Sequence, residues 1–390
     1  MASRKILYIT NIPAPYRTYR FNLLNKYLNE EGIELNVFYM NTSEPDRFWK
    51  FDPEKQDYKF EVFSTRPVNK FMGMYTHFPL RMFSALRQAE YDLVVLGGIA
   101  SPAHILTALT LRKNALKILS VESNLISEKQ KGSFASYMKR TLYRRFDAYQ
   151  FTGQKAREYC EKYTGALSDE KVVYLPNVID ESLLRNQKEN VNINTSVALR
   201  KAVEFQDRTG KLNKESTVLI AARLEPFKGL KEFFRCLPEC HPMRFIVAGT
   251  GSLHDDLSEL IRQRGLNVEL IGHVTPQEIA ALMELVDFFA LPSLSDPSPL
   301  SPIEATAFGL PLILSCKIGN VSEVLREGEN GWSFDPSNCK QIASVIERAS
   351  KLSEVAYQEM REASWKIFRT RFHSELVLKR YVGQLIKLLN

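Results

Sequence analysis

Apolar residues along this chain come in short runs, and between the runs lie longer stretches with helical spacing. KILYIT, IELNVFYM, YKFEVFS, YDLVVLGG, LKILSVES, AYQFTG and KVVYLPN are the runs of the first half. TVLIAA, MRFIVAG, VELIGH, FFALPS, LPLILS and a weaker GWSFD form a second set. They do not strictly alternate with polar residues, which suits parallel strands covered on both faces. Helical patterns such as TYRFNLLNKYLNE, PAHILTALTLRK, GLKEFFRCL, LHDDLSELIRQRG and TPQEIAALMELV intervene. The chain is therefore predicted to be α/β, with two doubly wound Rossmann-like domains. Residues 1–180 form the first and 216–355 the second, and the polar, strand-poor stretch 181–215 links them. The tail, 356–390, reads as helices that carry Trp365, Phe368 and Phe372.

Length agrees with two domains, because 390 residues exceed what one hydrophobic core usually serves. An apolar fraction of 44% and a charged fraction of 25% describe a globular chain rather than a disordered one. The net charge of +7 suits nucleic acid, an anionic membrane surface or a phosphorylated ligand, and does not choose among them. Nucleic acid loses ground for want of a Cys/His finger, a recognition-helix module or a dense arginine tract. The five cysteines are few and odd in number and read as reduced thiols of a cytosolic protein. Cys236-x3-Cys240-His241 lacks a second compact ligand cluster, so no metal site is expected there. MASRKILYIT is read as a first strand rather than a leader, and no apolar window is long enough to span a membrane.

In open α/β sheets the ligand crevice lies beyond the C-terminal ends of the strands, so polar residues just after strands come first. Arg223 and Lys228 in RLEPFKG follow TVLIAA. They suit a diphosphate near a helix start, or else a solvated loop. Gly249-x-Gly251 after MRFIVAG permits close backbone approach or positive φ and shapes a loop beside the ligand. Asp296 and Glu304 bracket the proline-rich loop DPSPLSPIE after FFAL. Stiffened by its prolines, that loop would let both acids grip sugar or ribose hydroxyls. In the first half, the glycine-free NIPAPYR (11–17) leads from the first strand into a helix, with Arg17 and Arg20 near its start. Glu122 ends LKILSVES, as a functional carboxylate or an ordinary surface acid. Lys129, Lys131, Lys139, Arg140, Arg144 and Arg145, interleaved with Phe134, Tyr137, Leu142 and Tyr143, make a basic amphipathic element. It fits an anionic lipid surface or a plain solvated face. HExxH, GxSxG and GxxxxGK[ST] are all absent.

Taken in order, AARLEPFKG, FIVAGTGSLHDDLSELIRQRGL, IGHVTPQEIAALMELVDFFALPS, the acid-x7-acid loop, ATAFGLPLILS and REGENGW resemble one family. It is the retaining glycosyltransferases of family four (glycosyl transferases group 1), of the bacterial surface-polysaccharide type. YLPNVID (174–180) is similar to the segment closing the first domain there. The resemblance implies a GT-B fold, its two domains facing each other across a cleft, and a nucleotide-sugar donor, most simply a UDP-sugar. Arg223 and Lys228 would hold the diphosphate and stabilise the leaving group. Glu304 would bind the ribose and Asp296 the sugar hydroxyls. Ser298, Pro299, Leu300, Gly249 and Gly251 would complete the donor site. Asn11, Pro15, Tyr16 and Arg17 would lie on the acceptor side, and Glu122, near the position where many relatives carry a histidine, would be catalytic with Arg223 and Lys228. His104 ranks below Glu122, because it opens a helix.

The resemblance further implies front-face attack without an essential metal, and helices at 356–390 that cross back to the first domain. The acceptor would be lipid-linked or a polysaccharide, met in the cytoplasm and at the inner membrane face. Two departures stand out: Asp296 replaces the usual glutamate, and the usual N-terminal glycine pair is missing. They leave a non-catalytic sugar- or lipid-binding protein on the same scaffold as the alternative.

Overall fold

The computed structural model describes all residues except 1–3, 45–50, 65–68, 72–73, 77–78, 100, 112–113, 127, 129–131, 183–195, 208–215 and 240. Two compact units emerge. One comprises Met1–Ile179 with Ser374–Asn390, and the other Asp180–His373.

The first unit is built on β1 (Arg4–Thr10), β2 (Ile33–Tyr39), β3 (Lys59–Val62), β6 (Leu93–Leu96), β7 (Leu116–Val121), β8 (Ala148–Phe151) and β9 (Val172–Tyr174). They form one sheet in the order β3-β2-β1-β6-β7-β8-β9, and every pairing in it is parallel. Side chains alternate across a strand, so Ile6 and Tyr8 of β1 enter the core on one face while Leu7 and Ile9 enter the other. Pro15–Glu30 covers the first face together with the chain's last helix, Ser374–Leu389. That last helix buries Val377, Leu378, Tyr381, Val382 and Leu385, spaced for one apolar stripe. Two short strands that the apolar pattern does not signal, β4 (Asn69–Phe71) and β5 (Met74–Thr76), pair as an antiparallel hairpin.

The second unit repeats the plan with β10 (Ser216–Ala221), β11 (Met243–Ala248), β12 (Val268–Gly272), β13 (Phe288–Leu291), β14 (Leu312–Ser315) and β15 (Gly331–Phe334). Its sheet runs β12-β11-β10-β13-β14-β15, again parallel throughout. Both sheets reverse strand order beside their first strand, and ligands bind at such switch points. Within 181–215, Val197–Asp207 is a helix of this unit that buries Ala198, Leu199, Ala202 and Phe205.

The tail divides. Glu354–Ile367 stays on the second unit, where Trp365 donates to the Ala307 carbonyl at 3.2 Å and Ser364 to that of Leu310 at 2.8 Å. Only Ser374–Leu389 packs in the first unit, where Ser374 donates to the Ile179 carbonyl at 3.0 Å.

The expectation of reduced thiols is corrected at one pair. Cys236 and Cys339 form a disulfide, their Cα atoms 4.7 Å apart. Each sits at a helix end (Leu230–Cys236 and Cys339–Ser350), and both helices pack on one face of the second sheet. The 103 residues between them hide the pairing from any local spacing. Cys160 and Cys316 form no disulfide among the described residues, and Cys240 lies outside them.

Candidate functional site

Three loops at the C-terminal edge of the second sheet fit together through missing side chains. Gly249 follows β11 at φ 145°, and a Cβ there would stand 2.0 Å from the Ala222 carbonyl oxygen. A Cβ on Gly251 would come within 2.5 Å of that of Leu224. Gly229 takes a left-handed conformation (φ 68°) as the helix Leu230–Cys236 begins. Its Cβ would strike the Pro292 carbonyl oxygen at 2.3 Å. Gly249 and Gly229 need glycine for both conformation and proximity, and Gly251 for proximity alone. These contacts bring the segment after β10 against the segments after β11 and β13.

Arg223 is exposed, with its guanidinium 5.3 Å from the centre of the Phe227 ring. Lys228 is turned inward and paired with Asp296 at 2.5 Å, both side chains being largely buried (13% and 14% exposed). The structure thus places the cation expected on a diphosphate against the acid expected on sugar hydroxyls. Asp296 is one methylene shorter than glutamate, and its backbone is held as well, for its carbonyl accepts from Gly319 N at 2.8 Å. Ser298 and Leu300 are half-buried and Pro299 is buried. The Pro299 carbonyl accepts from Asn320 Nδ2 at 2.9 Å. Asn320, whose Oδ1 is buried without a partner among the described residues, had no signal in the sequence because it lies 21 residues away.

Glu304 stands on the first turn of Ser301–Ala307. Its carboxyl makes no hydrogen bond or ion pair among the described residues. Burial pushes it up to about 7, since a charge short of water and of partners favours its neutral form.

A second polar cluster occupies the corresponding edge of the first sheet. Asn11 follows β1, accepts from Arg17 Nη1 at 2.6 Å through Oδ1, and donates Nδ2 to Glu44 at 2.6 Å. The amide orientation is unambiguous, because guanidinium only donates and carboxylate only accepts. Pro15, at the first helical turn, is exposed, and Tyr16 is half-buried beside Arg17, whose guanidinium lies 5.5 Å from its ring centre. Burial alone would lower the Arg17 pKa, but Tyr16, Glu122, Tyr39 and Glu44 together raise it. Glu122 is exposed and within electrostatic reach of Arg17. Sequence reasoning missed Glu44, which is 4% exposed. It sits in the polar stretch NTSEPDR, and only the fold turns it inward. His104 is buried at the start of Pro102–Thr110, its ring 2.6 Å from the hydroxyl of the capping Ser101. It thus takes part in capping that helix. Among the described residues no group of three or more His, Cys, Asp or Glu side chains could hold a metal.

Two parallel-sheet Rossmann-like domains make this an α/β protein of the GT-B fold, and solved structures share it over nearly the whole chain. A glycosyltransferase from Rickettsia africae superposes with TM-score 0.72 at 15% identity, covering 100% of both chains. The Anabaena protein HepE, solved with UDP and glucose, gives TM-score 0.70 at 17% identity over 98% of this chain and 99% of its own.

At the level of sequence, residues 203–366 match the family model described as "Glycosyl transferases group 1". An uncharacterised glycosyltransferase of Methanocaldococcus jannaschii is 28% identical over 162 residues, which are 40% of this chain and 41% of that protein. Another, of Haemophilus influenzae, is 24% identical over 60% of this chain and 67% of its own length. The family match thus falls within the second unit, and the chain spans 41% of the length of the archaeal relative.

Proposed function

We propose that the chain is a retaining glycosyltransferase that moves a sugar from a nucleotide diphosphate, most simply UDP, to a lipid-linked or polysaccharide acceptor in cell-surface glycan synthesis. One observation carries the reading. The Gly229–Pro292 approach and the Lys228–Asp296 pair bring the segment after β10, with Arg223 and Lys228, against the segment after β13, with Asp296 and then Glu304, in the unit that matches the family. The structurally similar Anabaena protein was solved with UDP and glucose, which supports UDP as the first donor to try.

The chemistry assigned to each residue follows from its surroundings. Arg223, exposed and stacked on Phe227, meets the diphosphate directly. Lys228 joins it by leaving Asp296, which is then released toward the sugar hydroxyls. Charge developing on the departing diphosphate is stabilised by both cations. Glu304 accepts from the ribose hydroxyls. Gly249 and Gly251 keep the neighbouring loop low, and Ser298, Pro299 and Leu300 wall the donor. Asn11, Tyr16 and Arg17 face the acceptor behind Pro15, with Glu122 the carboxylate available to it. The reaction as proposed needs no essential metal, so turnover persisting in EDTA is expected.

Calorimetric titration with UDP, GDP, ADP and dTDP tests the reading, alongside an Arg223→Ala/Lys228→Ala double variant. One nucleotide should bind, and the double variant should lose it. Silence with all four would sink the transferase. Binding with no transfer and no donor hydrolysis would favour the sugar-binding alternative, for which the Lys228–Asp296 pair is the specific observation.

A further inference from the structure

Arg20 is 6% exposed, yet its guanidinium makes no hydrogen bond or ion pair with any described residue, and its Nε is shut off from solvent. The buried Nε–H is therefore left unsatisfied among the described residues, and the guanidinium lies over the face of Phe21, 5.3 Å away. A cation–π contact of this kind offsets only part of the cost of burying an uncompensated charge.

The polar groups within its electrostatic reach are Tyr8, Tyr39, Tyr58 and Tyr381. Their hydroxyls are already committed to one another and to Gln56 and Gln150. Arg17 precedes Arg20 by three residues on the same helix, so the two share a face. Its Nη1 is spent on Asn11 and on the Ile12 carbonyl, leaving Nε and Nη2 without a partner among the described residues. The Glu44–Asn11 chain holds that guanidinium in place and covers one edge only.

We propose that Arg17 and Arg20 form an oxyanion receptor in the first unit, which takes a phosphate or carboxylate group. On the transferase reading, the group belongs to the acceptor, which is therefore anionic. Arg17 offers the open fork that matches two oxygens of such a group. Arg20 supplies the buried charge that an anion would neutralise, and Glu44 and Asn11 are positioning residues.

Inorganic phosphate is also expected at Arg223 and Lys228, so the test is run in the Arg223→Ala/Lys228→Ala background. There, methyl phosphate and methyl glucuronide are titrated by calorimetry, one arm for each source of the oxyanion. Saturable binding of either is expected, weakened at least tenfold by Arg17→Gln or Arg20→Gln and partly restored by Arg20→Lys. Arg17 is half-buried, so its variant keeps the test decisive should Arg20→Gln not fold. Glu44→Gln should weaken binding less than Arg17→Gln, because it removes an orienting contact and no ligand contact.

Preference for methyl phosphate assigns a phosphate-bearing acceptor, and preference for methyl glucuronide a uronate. No binding of either, or binding indifferent to Arg17 and Arg20, overturns the receptor. UDP titration of the wild-type chain reports on the donor site separately, so failure of one assignment is distinguishable from failure of the other.

Discussion

Glu304 illustrates how one side chain reports on its surroundings. Its carboxyl titrates near 7 in the folded chain because burial penalises the charge, against about 4.3 for an unperturbed glutamate. Between those values the native state holds the extra proton, so Glu304 makes stability fall as pH rises through that window. Glu304→Gln should match wild type at pH 4 and exceed it by at most about 4 kcal/mol at pH 8, read from urea midpoints. Ribose hydroxyls donating to the carboxylate would favour its charged form. UDP binding at pH 7 should then release protons, seen as a buffer-dependent calorimetric enthalpy that vanishes in Glu304→Gln. Gly249 makes a simpler case. A methyl group there meets a carbonyl at 2.0 Å, and Gly249→Ala should cost about 2–3 kcal/mol or more, visible as a lowered melting temperature.

At the scale of elements, the helix Ser133–Tyr143 separates two readings of the basic stretch. Lys139 turns inward, 16% exposed, to meet Glu128 and the Tyr159 and Tyr163 rings. Tyr137 (65% exposed), Arg140, Arg144 and Arg145 stay outside, as does Met138. Residues 137, 140, 141 and 144 follow helical spacing along one face. Lys129 and Lys131 lie outside the described residues. We propose that this face meets anionic lipid. Co-sedimentation with phosphatidylserine vesicles should fall with salt and with Arg144→Glu/Arg145→Glu; retention unchanged from low to high salt would refute it. The disulfide joins two helices across 103 residues, a loop for which chain entropy allows up to about 4.7 kcal/mol. Reductant should lower the unfolding midpoint of wild type and leave Cys236→Ser unaffected.

For the whole molecule, the last helix belongs to the first unit although the second lies before it in sequence. Removing 374–390 would expose one face of the first core, where Val377, Leu378, Tyr381, Val382 and Leu385 are buried. At roughly 1.5–3 kcal/mol for each such side chain, the loss rivals a domain's whole stability of about 5–15 kcal/mol. Calorimetry of the truncated chain should show the first-unit transition gone and the second retained. Two transitions surviving unchanged would contradict this packing.

Much of this architecture was legible in the sequence. The apolar runs match the strands of both sheets, because a strand covered on both faces must be apolar almost continuously. Gly249 and Gly251 were legible as positions of close approach, since only a missing Cβ permits it. The helix Val197–Asp207 was hidden among polar neighbours, although 198, 199, 202 and 205 have its spacing. The hairpin Asn69–Phe71 with Met74–Thr76 was not read from the sequence, its two strands being only three residues each. What the tertiary structure alone decided were contacts between residues distant in sequence. Lys228 met Asp296 across 68 positions, Glu44 met Asn11 across 33, and Cys236 met Cys339 across 103. Arg20 lost most of its solvent, and Glu304 its ordinary acidity, in the same way. Periodicity is a local property that a chain carries before it folds, whereas pairing and desolvation exist only once distant segments share a neighbourhood.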